Sequence, residues 1–211
     1  MSFIDKIGVE LEGAWDNEPN NYYGDGSVEF NNDCSCDSDP CECDNRPSNF
    51  IGECSGCGVS LSEISDWVRN NYPNETNWSC GMHVHVSFLS DQHYTILTDK
   101  KFYQYFLERM NDFGKRLNIK NKDFWKRLKG TNTYCKNKFI PDNQLITNCD
   151  ERYTHLNFCF GEHRTIECRL LPCFKSVDIS IRAIEELIDI YESWLKRKYV
   201  PLKPIKKRVI V

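Results

Sequence analysis

No stretch of the 211-residue chain approaches the roughly 20 consecutive apolar residues that a membrane-spanning helix needs. The opening MSFIDKIGVELEG lacks the basic start and apolar run of a secretion signal. An excess of positive charge is missing too: 27 Lys and Arg against 31 Asp and Glu leave a net charge of -4, and hence no overall basic field to capture nucleic acid. Neither a Gly-x-x-x-x-Gly-Lys-Ser/Thr loop nor a Gly-x-Gly-x-x-Gly element occurs, so phosphate, if bound, is not cradled by either glycine-rich device. No internal repeat is visible. These absences lead to an expectation of one cytoplasmic domain, residues 1–211, with neither a membrane nor nucleic acid as partner.

Cysteine is what the chain has in excess. A reducing compartment disfavours disulfides and leaves metal binding as the main use for 12 thiols where they cluster. Residues 31–49, NNDCSCDSDPCECDNRPSN, contain almost no apolar side chain apart from cysteine, so they cannot build a core of their own. Cys34, Cys36, Cys41 and Cys43 form Cys-x-Cys pairs there, and Cys54-x-x-Cys57 follows. Four thiolates complete a tetrahedral zinc site, and six offer more than one set. Structural zinc is the expectation, with unorganised thiols and disulfides as the alternatives. The scattered Cys80, Cys135, Cys149, Cys159, Cys168 and Cys173 read as small buried hydrophobes. Lys196, Arg197, Lys198, Lys203, Lys206, Lys207 and Arg208 crowd the C-terminal end, most simply as a solvated tail.

Periodicity places several elements. Ser60 and Glu63 make a capping box ahead of Leu61, Ile64, Trp67 and Val68, a helix that should stop before Pro73. Phe102, Phe106, Met110, Phe113 and Leu117 recur at helical steps, as do Ile181, Ile184, Ile188, Tyr191 and Leu195. Strand candidates are IDKIGVELEG, SVEF, CGMHVHVSF, THLNFCF and RTIECRLL. With no repeating strand–helix unit, the pattern favours an α+β domain.

Three strands carry polar groups in pairs. Side chains two apart on a strand share a face. Glu10 and Glu12 lie opposite Val9 and Leu11, His83 and His85 opposite Val84 and Val86, and Glu167 and Arg169 opposite Ile166, Cys168 and Leu170. The plainer reading of any one pair is the wet side of a one-sided sheet. The residue types argue for more, because carboxylates and imidazoles bind divalent cations and arginine grips phosphate in a fork.

The elements GVELEG, GDGSVEF, IGECS, CGMHVHVS, RYTHLNF and TIECRLL, in that order, resemble the motif series of the amidoligases. These are ATP-dependent carboxylate–amine ligases related to glutamine synthetase and γ-glutamylcysteine synthetase, many of them found in bacteriophages. The resemblance spans about residue 7 to residue 172. It implies a mostly antiparallel curved sheet with helices on one face and ATP with magnesium on the other. Glu10, Glu12, Glu53 and Glu167 match magnesium ligands, with Glu29 as the rival of Glu53. His83 matches a nucleotide- or metal-contacting residue, and His85 a substrate-positioning one. Arg152 and Arg169 match phosphate contacts, Asp25 an acid near the amine, and Asn157 a supporting residue.

The chemistry so implied is activation of a small-molecule or peptide carboxylate as an acyl phosphate, followed by displacement of phosphate by an amine or ammonia. The cysteine segment, taken as residues 31–57, then reads as an insertion between motifs that shapes substrate access. Two other classes stay open at this point. One is a non-catalytic zinc-stabilised module with a basic tail for nucleic acid. The other is a zinc hydrolase using His83, His85 and a carboxylate.

Overall fold

The computed structural model describes residues 2–24, 28, 50–141, 153–159 and 163–198. Its strands are β1 (Ile4–Trp15), β2 (Tyr22–Tyr23), β3 (Phe50–Gly58), β4 (Gly81–Phe88), β5 (Leu156–Cys159) and β6 (Thr165–Pro172). Its helices are α1 (Leu61–Asn71), α2 (Asp91–Leu97), α3 (Lys100–Arg116), α4 (Lys122–Lys129) and α5 (Val177–Lys198). The strands form a single antiparallel sheet in the order β2-β3-β1-β4-β6-β5. The domain is α+β, as the interspersed pattern predicts. No helix among the described residues is long and apolar enough to cross a membrane.

Alternation decides the two faces of the sheet. Val9, Leu11, Met82, Val84, Val86, Ile166, Cys168 and Leu170 share one side and are almost wholly buried. They meet Ile64 and Val68 of α1, Phe102, Phe106 and Met110 of α3, and Ile184, Leu187 and Tyr191 of α5 in one continuous core. Phe102 stacks on Tyr191 at 5.5 Å between ring centroids, which locks the two long helices together above the sheet. Cys54 belongs to the same apolar layer, and beside it a Cβ on Gly56 would lie only 2.2 Å from the Trp67 ring of α1. Glycine there is what lets α1 close onto β3.

The helix signals hold. Ser60 Oγ accepts from Glu63 N, and the Glu63 carboxylate returns to accept from Val59 N, so α1 starts at the expected box with its return bond one residue earlier. Periodicity alone did not place α2 and α4, both short. α4 is nonetheless punctuated at each end, by Asn121 accepting from Asp123 N and Phe124 N and by Gly130 in the left-handed conformation.

Behind the sheet a buried polar relay supports β6. Arg127 of α4, only 1 % exposed, donates to the carbonyls of Arg169 and Ser79 at 3.2 and 3.3 Å. His155 Nε2 lies 2.7 Å from Arg127 O, its Nδ1 lies 2.8 Å from Tyr103 Oη, and its carbonyl accepts from Arg169 N. His155 is therefore a satisfied core histidine, and burial pushes its pKa down to about 4.

The sign of the resulting pH dependence follows. The neutral ring is favoured in the fold, so its contribution is complete above the ordinary histidine value of 6.5. It is lost as pH falls from there towards 4. We expect the wild-type protein to lose ~3 kcal/mol more stability between pH 7 and pH 4 than His155→Gln does. Urea unfolding at several pH values checks this. Parallel profiles for the two proteins would refute it.

Candidate functional site

The second face of the sheet carries the polar pairs, and the strand order brings them together. Glu10 is the register partner of His83 on one side of β1 and of Ser55 on the other. His85 sits opposite Glu167, which in turn sits opposite Asn157. Glu12 sits opposite Glu53, and Glu53 opposite Tyr23. The distant segments thus line up in transverse rows across all six strands.

The side chains converge as the backbone does. Glu10 reaches both histidines, Oε2 lying 3.2 Å from His83 Nδ1 and Oε1 3.1 Å from His85 Nε2. His83 Nε2 lies 3.6 Å from Glu12 and its Nδ1 3.7 Å from Glu167. Arg169 Nη1 pairs with Glu167 at 2.5 Å, and Asn157 Nδ2 donates to the other oxygen of that carboxylate at 2.9 Å. Asn157 thus restrains the Glu167 carboxylate. The register between β4 and β6 slips between Met82 and Val84, so Arg169 lies at an irregularity that lets a residue leave the strict pleat.

Electrostatics bind the cluster into a unit. Burial works against the charged form of Glu10, but hydrogen bonds and charge from His83 and His85 outweigh it and hold the carboxyl well below the usual range. Burial also opposes charge on Glu167, and Arg169, His83 and His85 reverse that effect and lower its pKa. For His85 the burial penalty is overcome by Glu10 and Glu167, which raise its pKa. Arg169 is buried at 8 % exposure and stays charged through its partnership with Glu167.

The donor set suits divalent cations. Two groups of ligand atoms, Glu10–His85–Glu167 and Glu10–Glu53–His83, each lie within 4.8 Å of one another and share Glu10. Glu12 and Glu53 are direct cross-strand neighbours, an arrangement that repels unless positive charge stands between or beside the carboxylates. Arg169 Nε is buried with no hydrogen-bond partner among the described residues, a spare donor within the same cluster. Carboxylates, imidazoles and one fork with a spare N–H fit a cation-bound phosphate.

Glycine at position 81 belongs to this geometry. Its N–H donates to Glu12, and a Cβ there would stand 2.7 Å from His83 Nε2 and 3.0 Å from Glu12 Oε2. Gly81→Ala must therefore push both side chains out of place. We expect it to weaken divalent-cation binding by about 10–100-fold, read by calorimetric titration of manganese. Wild-type affinity in the variant would locate the cation elsewhere.

Not every expected residue joins the cluster. Asp25, Glu29, Arg152, Cys34, Cys36, Cys41 and Cys43 lie outside the described residues. Cys54 and Cys57 lie in β3, an inner strand of the sheet that takes up residues 50–57. Three positions apart on a strand, the two thiols point to opposite faces. Cys54 is fully buried, its Sγ donating to Asn71 O and its pKa pushed up to about 12 by burial, while Cys57 is exposed. They cannot form a knuckle on one ion.

Sequence reasoning missed Arg127, which props up the backbone of Arg169, and the loop aromatics around that guanidinium. Arg169 lies 5.4 Å from the Tyr153 ring centroid. Two surface hollows, of about 540 and 360 Å³, lie along residues 72–77 and between α3 and α5, and the clustered side chains line neither. No family model matches the chain, and no curated protein or solved structure matches it either.

Proposed function

We propose that the chain is an ATP- and magnesium-dependent ligase that joins a carboxylate to an amine or ammonia through an acyl phosphate. The observation that carries this reading is the convergence of Glu10, Glu12, Glu53, His83, His85, Glu167 and Arg169 on one sheet face. These residue types belong to phosphoryl transfer, where catalysis is almost wholly positioning and charge stabilisation. A carboxylate has no adequate leaving group for attack by an amine, and phosphorylation supplies one.

Glu10, Glu12, Glu53 and Glu167 would hold magnesium, with His83 and His85 at the same cluster. When bound, the ions would neutralise phosphate oxygens and fix their orientation. Arg169 contributes a guanidinium already held by Glu167, so its charge and fork are in place before substrate arrives. Asn157 keeps Glu167 from turning. The family resemblance gives Asp25 the task of orienting the amine and taking its proton, and Arg152 a second phosphate contact.

The division of His83 and His85 between two donor groups counts against a single catalytic zinc held by both imidazoles. The opposite headings of Cys54 and Cys57 take one thiol pair from the zinc-module reading, which leaves the clustered Glu, His and Arg without a role.

Calorimetric titration of ATP with and without magnesium tests the proposal, followed by phosphate release in the presence of carboxylates and amines. Tight binding that requires the cation, and release that requires a carboxylate, are expected. Hydrolytic activity that proceeds without nucleotide, or an absence of nucleotide binding, would overturn it.

A further inference from the structure

The ladder between β4 and β6 runs one step past the Gly81–Pro172 pair, because Cys173 N donates to Cys80 O at 3.2 Å. Two cysteines therefore stand directly opposite each other on neighbouring antiparallel strands, with their side chains on one face. Both are free thiols, 0 % and 2 % exposed, and near enough for the charge of one to act on the other. Opposed residues of such a hydrogen-bonded pair have Cα atoms about 5.5 Å apart, inside the roughly 4.4–6.8 Å that a disulfide spans. The backbone already holds the separation that a bond between them needs.

Two thiols acting only as small hydrophobes would not need polar company, and these have it. Asn77 N donates to Cys80 Sγ at 3.4 Å, and Cys80 Sγ donates to Asn77 Oδ1 at 3.5 Å. Arg127, bonded to two main-chain carbonyls, lends positive charge to both sulfurs. Burial still raises their pKa values, Cys80 to about 11 and Cys173 further, so the pair stays reduced until an oxidant persists.

A route to the pair exists. The hollow of about 540 Å³ is walled by Tyr72, Asn77 and Phe174 among others. Asn77 touches Cys80, Phe174 follows Cys173 in the chain, and Tyr72 lies close enough to feel both thiols. One layer of side chains thus separates the sulfurs from a space open to small molecules.

The pair also backs onto the cation cluster. Cys80 precedes Gly81, whose N–H holds Glu12. Cys173 Sγ donates to Gly81 O at 3.1 Å and sits against the Glu12 main chain. Bonding to Cys80 would remove that S–H and turn the sulfur away from both contacts, so Glu12 and Gly81 would lose their support from behind.

We propose that Cys80 and Cys173 are a dithiol oxidation site, converted by a small peroxide to a disulfide that loosens Glu12 and weakens cation binding. In the first step the Cys80 sulfur attacks one peroxide oxygen, the O–O bond breaks, and water leaves with the thiol proton, giving a sulfenic acid. The Cys173 sulfur then displaces the hydroxyl group, which leaves with the second thiol proton as water while the S–S bond forms. Two thiols lose two electrons in all, and one hydrogen peroxide is reduced to two waters. The effect on binding rests on the reading of Glu12 as a cation ligand, while the dithiol rests on strand register and the hollow.

The test treats the full-length protein with hydrogen peroxide, blocks the remaining thiols and maps the peptides. A linked pair containing Cys80 and Cys173 is expected, with manganese affinity about tenfold lower by calorimetry and restored by dithiothreitol. Cys80→Ser and Cys173→Ser should each bind manganese as the reduced wild type does and lose the response to peroxide. Recovery of the two cysteines unlinked, a link with unchanged affinity, or a wild-type response in both variants would overturn the proposal. The wild-type map and titration stand even if a serine variant fails to fold. Failure of the reduced protein to bind manganese would instead remove the cation reading, and the cross-link would still establish the oxidation site.

Discussion

Glu10→Gln is expected to lower carboxylate-dependent phosphate release by about 10³-fold while the fold survives. Glu10 is the one carboxylate common to both donor groups, and each of its oxygens faces a different histidine. Glutamine preserves volume and the sheet register but offers a neutral oxygen and an N–H where anionic donors are needed, so it damages both cation positions at once. Its side chain is more open than those of Glu12 and Glu167, so water can reach the altered amide and the cost in stability should be small. Manganese titration and phosphate release, run beside a denaturation curve, separate loss of function from loss of fold. Wild-type turnover in this variant would end the assignment of the cluster as a catalytic cation site.

Arg169 is expected to give a split result. Arg169→Lys keeps a positive charge beside Glu167 but loses the planar fork and the packing on Tyr153, so turnover should fall by about 10²-fold with stability nearly intact. Arg169→Ala leaves the carboxylate of Glu167 buried beside a vacant site. Breaking such a pair costs about 3–5 kcal/mol, and the variant should unfold at markedly lower urea. Lysine and alanine therefore separate the catalytic contribution from the structural one. If both variants turned over normally, Arg169 would have no part in phosphate binding.

Much of the face was legible because strand alternation converts sequence spacing directly into position. Glu10 with Glu12, His83 with His85, and Glu167 with Arg169 had to point the same way once their strands formed, since Leu11, Val84 and Cys168 between them needed a core. The order of strands was not legible. Nothing in GVELEG states that it will sit between β3 and β4, and only that order turns three wet patches into one cluster.

β3 itself was hidden for a physical reason. FIGECSGCG contains three glycines and no sustained apolar alternation, so by propensity it reads as loop. Pairing with β1 on one side and β2 on the other overrides that, and Gly56 is small because Trp67 occupies the space above it. The Cys-x-x-Cys spacing then misleads, since its significance depends on a turn and the chain here is extended. Arg127 left no motif either. Its charge is spent on two backbone carbonyls, contacts that any sequence can supply.

β1 comes first of the six strands in chain order yet lies in the interior of the sheet, flanked by two later ones. During synthesis it must wait with both hydrogen-bonding edges bare and Val9 and Leu11 uncovered until β3 and β4 have emerged. A nascent chain halted before β4 would carry a β1 with one edge still bare, the kind of sticky surface that holdase chaperones shield and that aggregates when they are scarce.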